Sequence, residues 1–283
     1  MSGKYRVVLL GTGTPNAEPY RAGPSVAVLA GDSSYLVDFG PGVVRRANAA
    51  YQSGLEALKP SRLTRAFLTH LHSDHTAGYP DLILTPWILE RNQPLLVYGP
   101  PGIRRMTDHV LAAYRDEVRE RLDGLEPTGE EGYRVAVEEI EPGRVYEDDN
   151  VRVDAFSVDH GSWPAFGFRF ETDDGTVVVS GDTAPCESLV EAAAGCDLLV
   201  HEVYSFQGLK GRPPEWRKYH SSMHTSTVEL ADIASTCSPG LLAFYHQLFF
   251  DVSEKELLDE VRSRYDGEVV SGQDLQVLCS ERW

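Results

Sequence analysis

Hydrophobic residues recur along the chain in short runs that are rich in valine, leucine and phenylalanine, as is typical of β-strands. Stretches with the apolar spacing of helices lie between these runs. Pro80 and Pro185 stand where the first turn of a helix accepts proline. The alternation predicts an α+β fold with helices covering sheets, in one domain over residues 1–283. The predicted strands are 5–11, 25–30, 34–40, 65–70, 94–99, 151–160, 166–172, 176–182, 196–202 and 240–246.

Two segments interrupt this pattern and are interpreted as insertions. Residues 103–132 combine a charged helical pattern with an acidic turn that contains glycine and proline. Residues 206–222 are predicted to form a loop rich in glycine and proline. Because this loop directly precedes His224, a functional interpretation competes on equal terms with an ordinary solvated loop. The loop carries a basic island in an acidic chain: Lys210, Arg212, Arg217 and Lys218.

Composition narrows the classes of function. The 283 residues are 42% hydrophobic, which suits a packed core, and they carry a net charge of −17. That charge disfavours a nucleic-acid partner gripped through many phosphates. No run of about 18 apolar residues occurs, so no membrane span is expected. The four cysteines are single and the N-terminal apolar run is too short for a signal peptide, which favours a reducing cytoplasm.

Candidate chemistry lies at the ends of the predicted strands. Five runs each end in residues that can bind a metal, and the carboxyl ends of strands meet at one edge of a sheet. A core histidine satisfied by one hydrogen bond is the ordinary explanation at any single position. Repetition at five strand ends favours a shared metal site instead. These residues are His70, His160, Asp182, the pair His201 and Glu202, and His246.

The stretch "LTHLHSDHTAGYP" concentrates ligands further. In an extended segment His70 and His72 point to the same side, and the following turn directs Asp74 and His75 toward a second centre. Imidazoles and carboxylates without thiolates suit Zn²⁺, Mn²⁺ or iron. Six or seven ligands are too many for one tetrahedral ion, so the sequence predicts two metals that share a carboxylate. Asp182 is the candidate bridge, because the glycine before it permits a sharp turn.

"HLHSDH" matches the HxHxDH signature of the metallo-β-lactamase fold, and the chain resembles the ribonuclease Z-like branch of that fold. The resemblance implies a four-layer αβ/βα sandwich, a dinuclear metal site at one edge and a homodimer. Further motifs of the branch occur in order: GTGTP (11–15), YLVDFGPG (35–42), SGDT (180–183), HEVYS (201–205), HTS (224–226) and YH (245–246).

The resemblance also implies roles for individual residues. Two Zn²⁺ ions are expected, with Mn²⁺ or iron as alternatives, and Asp74 would orient the attacking hydroxide. One metal would be held by His70, His72, His160 and Asp182, and the other by Asp74, His75, Asp182 and His246.

Glu202 and His224 resemble the acid–base dyad of the branch, in which His224 would protonate the leaving oxygen. "HEVYS" is not the HExxH motif of zinc peptidases, since serine occupies the second histidine position. His201 is interpreted as a buried structural histidine. Of the carboxylates beside the motifs, Asp38 is favoured over Asp159 as a hydrogen-bond partner of a ligand histidine.

The branch processes the 3′ end of tRNA precursors with a long basic arm between the third-motif histidine and the bridging aspartate. Here His160 and Asp182 are only 22 positions apart, which leaves no room for it. We therefore expect a hydrolase of small phosphodiesters or related esters. The alternatives are an aryl sulfatase, a lactone or thioester hydrolase, or a tRNA 3′-processing endonuclease. A non-catalytic scaffold is disfavoured because no ligand is missing, and a di-iron reductase because Glu202 has no ligand position.

Aromatic and basic side chains are candidates for substrate binding. Arg21, Trp163 and Trp216 are the predicted substrate-binding residues. For the aromatics Trp87, Trp163, Phe166 and Trp216, core packing is an equal alternative. No role is predicted for His109 or His220.

Overall fold

The computed structural model describes residues 6–173 and 175–279 of the chain, so Tyr5 of the first predicted strand lies outside them. Within these described residues, fourteen strands form two sheets of seven strands each. The strands of the N-terminal half are β1 (Arg6–Gly11), β2 (Ser25–Ala30), β3 (Ser33–Val37), β4 (Arg65–Phe67), β5 (Leu95–Gly99) and β6 (Val135–Glu139). The others are β7 (Gly143–Glu147), β8 (Arg152–Ser157), β9 (Phe166–Thr172), β10 (Gly175–Val179), β11 (Leu198–Tyr204), β12 (Leu241–Leu248), β13 (Val269–Ser271) and β14 (Gln276–Cys279).

Both sheets are mixed. The first has the order β14-β1-β2-β3-β4-β5-β6, with antiparallel pairs up to β3 and parallel pairs from β3 to β6. The second has the order β13-β12-β11-β10-β9-β8-β7, with parallel pairs from β10 to β13. The parallel strands of the two halves deliver most of the candidate ligands, because their carboxyl ends open onto one edge of the sandwich.

Helices cover the outer faces of both sheets. The first half contributes α1 (Val43–Gln52), α2 (Ser73–Thr76), α3 (Tyr79–Ile88), α4 (Ile103–Ala113) and α5 (Arg115–Asp123). The second half contributes α6 (Glu187–Ala193), α7 (Phe206–Lys210), α8 (Pro214–Met223), α9 (Thr227–Cys237) and α10 (Glu254–Arg262). None of the helices within the described residues combines the length and the apolar character that a membrane span requires.

The central strands are buried on both faces, which explains their unbroken apolar runs. In β1, Val7 and Leu9 face the core between the sheets, whereas Val8 and Leu10 pack under α1 and α3. β12 does the same in the second half, where Phe244 packs beneath α9 and α10. The layers are therefore helices, sheet, sheet and helices. This confirms the expected αβ/βα sandwich.

The structure corrects one local prediction. Residues 206–222 are not a loop but two helices, α7 and α8. Pro214 occupies the first position of α8, where a missing N–H costs nothing. Ser205 caps α7 by accepting a hydrogen bond from the backbone nitrogen of Gly208 at 2.9 Å. The glycine and proline residues of the segment therefore reflect the boundaries of these helices. In the other predicted insertion, the predicted helix within 103–132 is divided into α4 and α5.

Candidate metal centre

Most of the metal-capable residues lie in loops and short elements that follow the strands, whereas His246 lies within β12. β4 ends at Phe67, and the next eight residues carry the HxHxDH motif into α2. β12 delivers His246 through an irregularity: Tyr245 pairs with Glu202 and Gln247 with Val203, so His246 is the extra residue between them. Its φ of 42° lies in the left-handed region. Such a bulge redirects one side chain, and it turns this imidazole toward the edge of the sheet.

Three histidines converge at one side of the site. His70 Nε2 lies 2.9 Å from His72 Nδ1, and His160 Nε2 lies 3.1 Å from that same His72 Nδ1. Ligand atoms around a tetrahedral zinc, each roughly 2.0–2.1 Å from the ion, are themselves separated by roughly 3.3 Å. The three nitrogens therefore have close to the mutual spacing that a common cation requires.

A second group lies beside the first. His246 Nε2 lies 3.3 Å from Asp74 Oδ2, and His75 Nε2 lies 3.5 Å from that oxygen. All three residues are buried. This group contains one carboxylate and two imidazoles, which is also a donor set suited to a transition metal.

Asp182 lies between the two groups. Its Oδ2 is 4.0 Å from His70 Nε2 and 3.3 Å from His246 Nε2, while its Oδ1 is 3.4 Å from His75 Nε2. Gly181 has a φ of +66°, and a Cβ there would stand 2.8 Å from the backbone oxygen of Phe166. The chain thus makes the close turn expected before the carboxylate, at a position that accepts only glycine.

The outward-facing ring nitrogens are held by neighbouring groups. His75 Nδ1 lies 2.7 Å from Asp38 Oδ2, and His160 Nδ1 lies 2.8 Å from the backbone oxygen of Met223. His70 Nδ1 lies 2.9 Å from Thr69 Oγ1. Such contacts orient a ligand ring and leave the other nitrogen for a metal.

The preference for Asp38 is matched by this geometry. Asp159 instead takes part in backbone contacts with Thr183 and Ala184. Thr69, which accompanies Asp38 beneath the rings, was not anticipated, because a threonine next to a ligand histidine has no distinctive pattern.

Unpaired buried atoms mark the centre as a binding site. His75 Nε2 and Asp182 Oδ1 are buried and have no hydrogen-bond partner. Buried polar atoms normally have partners, so these two fit a site whose ligand is a cation. The clusters of imidazole and carboxylate donors fit the same ligand.

Charge around the centre points the same way. Burial lowers the pKa of His70, His72 and His160, which favours the neutral imidazole that a metal requires. Burial also acts to lower the pKa of His75, but the surrounding carboxylates, chiefly Asp182, raise it well above its usual range. Burial also acts to raise the pKa of Asp182, but His246 and His75 hold that pKa well below its usual range. The anionic carboxylate in the middle of the centre attracts positive charge.

Glu202 and His224 form a hydrogen-bonded pair next to the two groups. His224 Nδ1 lies 2.9 Å from Glu202 Oε1, and the same oxygen accepts a hydrogen bond from the backbone nitrogen of Thr183 at 3.0 Å. Burial lowers the pKa of His224 and raises that of Glu202. The first shift favours a neutral imidazole, and the second favours a carboxyl that keeps its proton. The His224 ring also stacks on His246, with 5.7 Å between ring centres.

A cleft of about 1070 Å³ opens onto this edge of the sandwich. Asp74, Asp182, His224 and His246 lie at its floor, and α8 supplies one wall through Trp216 and its neighbours. The structure therefore brings together the two groups of metal-capable side chains, the Glu202–His224 dyad and Trp216, which is one of the predicted substrate-binding residues.

The other predicted substrate-binding residues lie elsewhere. The Trp163 ring packs against His72, with 5.0 Å between ring centres, but does not line the cleft. Arg21 also lies outside the lining: its guanidinium donates to Thr12 Oγ1 at 2.7 Å and to the backbone oxygen of Gly272 at 3.0 Å. Trp87 and Phe166 are buried in the cores.

The remaining histidines differ from one another. His201 is fully buried in β11, where burial lowers its pKa to about 4, as suits a structural residue. His109 is exposed on α4. His220, for which no role was predicted, lines the cleft, and its ring centre lies 5.6 Å from that of His224. Its helical spacing of four residues from both Trp216 and His224 is the signal that could have identified it.

Two mixed sheets between helices, with clustered histidines and aspartates at one edge, define a metal-dependent hydrolase of the metallo-β-lactamase fold. The family described as "Beta-lactamase superfamily domain" matches residues 34–246, well over half of the chain. The chain belongs to this superfamily.

Relatives and solved structures agree with this assignment. A protein of Mycobacterium bovis named ribonuclease Z is 34% identical over 287 residues, covering 95% of this chain and 96% of the relative. The metallo-β-lactamase fold protein YhfI of Bacillus subtilis has a TM-score of 0.74 at 18% identity and covers 98% of this chain and 99% of its own. The short form of human tRNase Z has a TM-score of 0.70 at 23% identity, over 96% and 98% of the two chains.

Proposed function

We propose that the centre holds two Zn²⁺ ions, in sites that would also accept Mn²⁺ or iron. The nitrogens converging near His72 and the unpaired atoms of His75 and Asp182 support this proposal. The first ion would be held by His70, His72, His160 and Asp182. The second would be held by Asp74, His75, Asp182 and His246.

The proposed reaction is hydrolysis of a phosphodiester. Two such cations make water acidic enough to supply hydroxide near neutral pH. Asp74 orients the attacking oxygen from the floor of the cleft. The P–O bond on the opposite side breaks, and His224 donates a proton to the departing oxygen while Glu202 holds the imidazole in place. The 2.9 Å contact between His224 Nδ1 and Glu202 Oε1 supports these roles.

We further propose that the substrate is small. The segment between His160 and Asp182 contains only the β9–β10 hairpin, which is too short to form a tRNA-binding arm. The cleft supports the same proposal: Arg212 is the one lysine or arginine among the described residues that line it, against several carboxylates. Beyond the metals, Glu18 and Glu215 would disfavour a strand that carries many phosphates.

Processing of precursor tRNA is the second candidate, favoured by the name of the mycobacterial relative. That relative aligns with this chain over 96% of its own length and 95% of this chain. The name therefore does not by itself imply an arm, and the two candidates must be separated by their substrates.

A substrate panel on protein of measured metal content tests the proposal. The panel contains bis(4-nitrophenyl) phosphate, 4-nitrophenyl sulfate, a lactone, a thioester and a precursor tRNA. We expect the highest kcat/KM for the phosphodiester. Higher kcat/KM with the precursor tRNA would replace the first candidate with the second, and activity confined to sulfate, lactone or thioester would reject both.

We also propose that residues 1–283 form one domain, and that the protein is a cytoplasmic homodimer. Light scattering on the purified chain tests the dimer, for which we expect twice the mass of the monomer.

A further inference from the structure

An aromatic wall borders the cleft on the side of α8. We use this name for Trp216, Tyr219 and His220 of α8 together with Phe250. The ring centres of Trp216 and His220 lie 5.7 Å apart with an angle of 24° between the rings, a stacked arrangement. Phe250 supports His220 from behind, with 4.7 Å between ring centres. All four side chains line the cleft that contains the metal centre.

The wall is open to a ligand. Trp216 and Tyr219 are 53% and 42% exposed, whereas most other aromatic side chains of the chain are buried or half-buried. Large aromatic rings next to one another on a concave surface provide area for stacking a flat ligand. The aromatic wall therefore offers its surface within the cleft, not on the outside of the sandwich.

The wall adjoins the proposed proton donor. The ring centre of His220 lies 5.6 Å from that of His224, and the ring centre of Tyr219 lies 6.3 Å from it. The other exposed tryptophan, Trp163, instead packs against His72. The two tryptophans thus lie beside different parts of the centre. Trp163 lies beside the proposed ligand His72, whereas Trp216 lies on the side of His224, from which the proton is donated.

The charged side chains beside the aromatic wall favour a leaving group that is an uncharged aromatic ring. Arg212 Nη2 lies 3.3 Å from Asp251 Oδ2, and its guanidinium also lies over the Phe250 ring at 5.3 Å, so this cation already contacts both Asp251 and the wall. Glu215 and Glu18 also line the cleft. A leaving group that carries further phosphates would meet these carboxylates, whereas an uncharged aromatic ring would not.

We propose that the aromatic wall binds the leaving group, and that the preferred substrates are phosphodiesters whose departing arm is a flat, uncharged aromatic alcohol or phenol. This inference rests on the proposed function. When water attacks phosphorus, the P–O bond to the arm on the wall breaks, and His224 protonates its oxygen. The other arm remains on the phosphate.

Two substrates and two matched variants test the assignment on the zinc-loaded protein. Methyl 4-nitrophenyl phosphate and phenyl 4-nitrophenyl phosphate share the leaving group and differ only in the retained arm. We compare Trp216→Leu with Tyr114→Leu, because both are exposed aromatic side chains, at 53% and 38%, and Tyr114 lies between α4 and α5, outside the cleft lining. Calorimetric titration with 4-nitrophenol, the leaving group alone, at a pH low enough to keep its hydroxyl protonated, measures binding without turnover, and thermal unfolding checks that both variants fold.

For Trp216→Leu we expect KM to rise about five- to tenfold for both diesters, with an unchanged ratio between them. The affinity for 4-nitrophenol should fall by a similar factor, and Tyr114→Leu should leave that affinity unchanged. An unchanged KM in Trp216→Leu, a change confined to the phenyl substrate, or an equal loss of 4-nitrophenol affinity in both variants would overturn the inference. Failure of the zinc-loaded wild type to hydrolyse either diester would instead reject the proposed function.

Discussion

Two regions of this protein bury charged side chains completely, and they differ in how the buried polar atoms are paired. At the end of α3, the guanidinium of Arg91 is buried and donates five hydrogen bonds to backbone oxygens. In the candidate metal centre, by contrast, His75 Nε2 and Asp182 Oδ1 are buried without a hydrogen-bond partner and lie 3.4 Å from each other. The first region is complete in itself, and the second has an arrangement that a bound cation would complete.

The contrast separates a structural cluster from a functional one. Unpaired buried polar atoms cost about 1–3 kcal/mol each, so they persist where another molecule or ion completes them. Arg91 has every donor occupied by the turn at Gly132 and by the carbonyls of Leu63, Leu82 and Ile83. Burial alone therefore does not identify a site, whereas missing partners that coincide with clustered metal-capable donors favour one.

The largest effect is expected from Asp182→Asn. The variant loses the carboxylate between the two groups, so we expect metal content to fall and kcat/KM to drop at least about a thousandfold, equivalent to several kcal/mol of lost stabilisation by the metals. Zinc should raise the unfolding temperature of metal-free wild type, because it binds the folded state, but not that of the variant. Elemental analysis, kinetics and calorimetry measure these changes. Wild-type metal content and rate in the variant would remove Asp182 from the centre.

Arg91→Met should affect stability and not metal binding. The change leaves buried carbonyls unpaired, and we expect the free energy of unfolding to fall by about 3–5 kcal/mol, by the same amount with and without zinc. Urea denaturation measures it. Arg134→Met is the matched control: Arg134 is exposed near the same turn and pairs with Glu131, so its loss should cost less than about 0.5 kcal/mol. A stability loss that zinc abolishes would break the distinction between the two regions.

His224→Gln should slow poor leaving groups selectively. For a dialkyl phosphate we expect a loss of about 10²–10³-fold in kcat, since an alkoxide needs a proton donor. For bis(4-nitrophenyl) phosphate the loss should stay within about tenfold, because nitrophenolate departs without protonation. His109→Gln, on the exposed face of α4, is the control. Equal losses for both substrates would show that His224 is not the acid.

The smallest effect is expected from a substitution at Asp38, where the two regions resemble each other because the buried charge is fully paired in both. Asp38 is fully paired, like Arg91, but its partner is the proposed ligand His75. Asp38→Asn should lower zinc affinity by about 10–100-fold, as measured by competition with a chelator. Asp159→Asn, a carboxylate beside the motif that contacts no ligand ring, should leave the affinity unchanged. Equal effects in the two variants would mean that Asp38 acts only through the fold.

Much of the fold and of the centre could be predicted from local pattern. Strands and helices followed from apolar runs and spacing, and the sharp turn before Asp182 followed from its glycine. The helices over 206–222 were not predicted, because glycine and proline, here Gly208 and Pro214, are typical of loops. In the structure Gly208 lies within α7 and Pro214 begins α8. Arg21 illustrates the same limit, because its charge is evident from the sequence whereas its hydrogen-bond partners Thr12 and Gly272 are not.

The sequence by itself determined the chemistry: which donors exist, that thiolates are not among the clustered residues, and that the donors follow strands whose ends share an edge. Only the tertiary structure decided the geometry, namely which ring nitrogen faces inward, which carboxylate supports His75 and which aromatic rings form a wall beside His224. The reason is physical. Donor type is a property of one side chain, whereas orientation depends on contacts such as that between His160 and Met223, 63 positions apart in the chain.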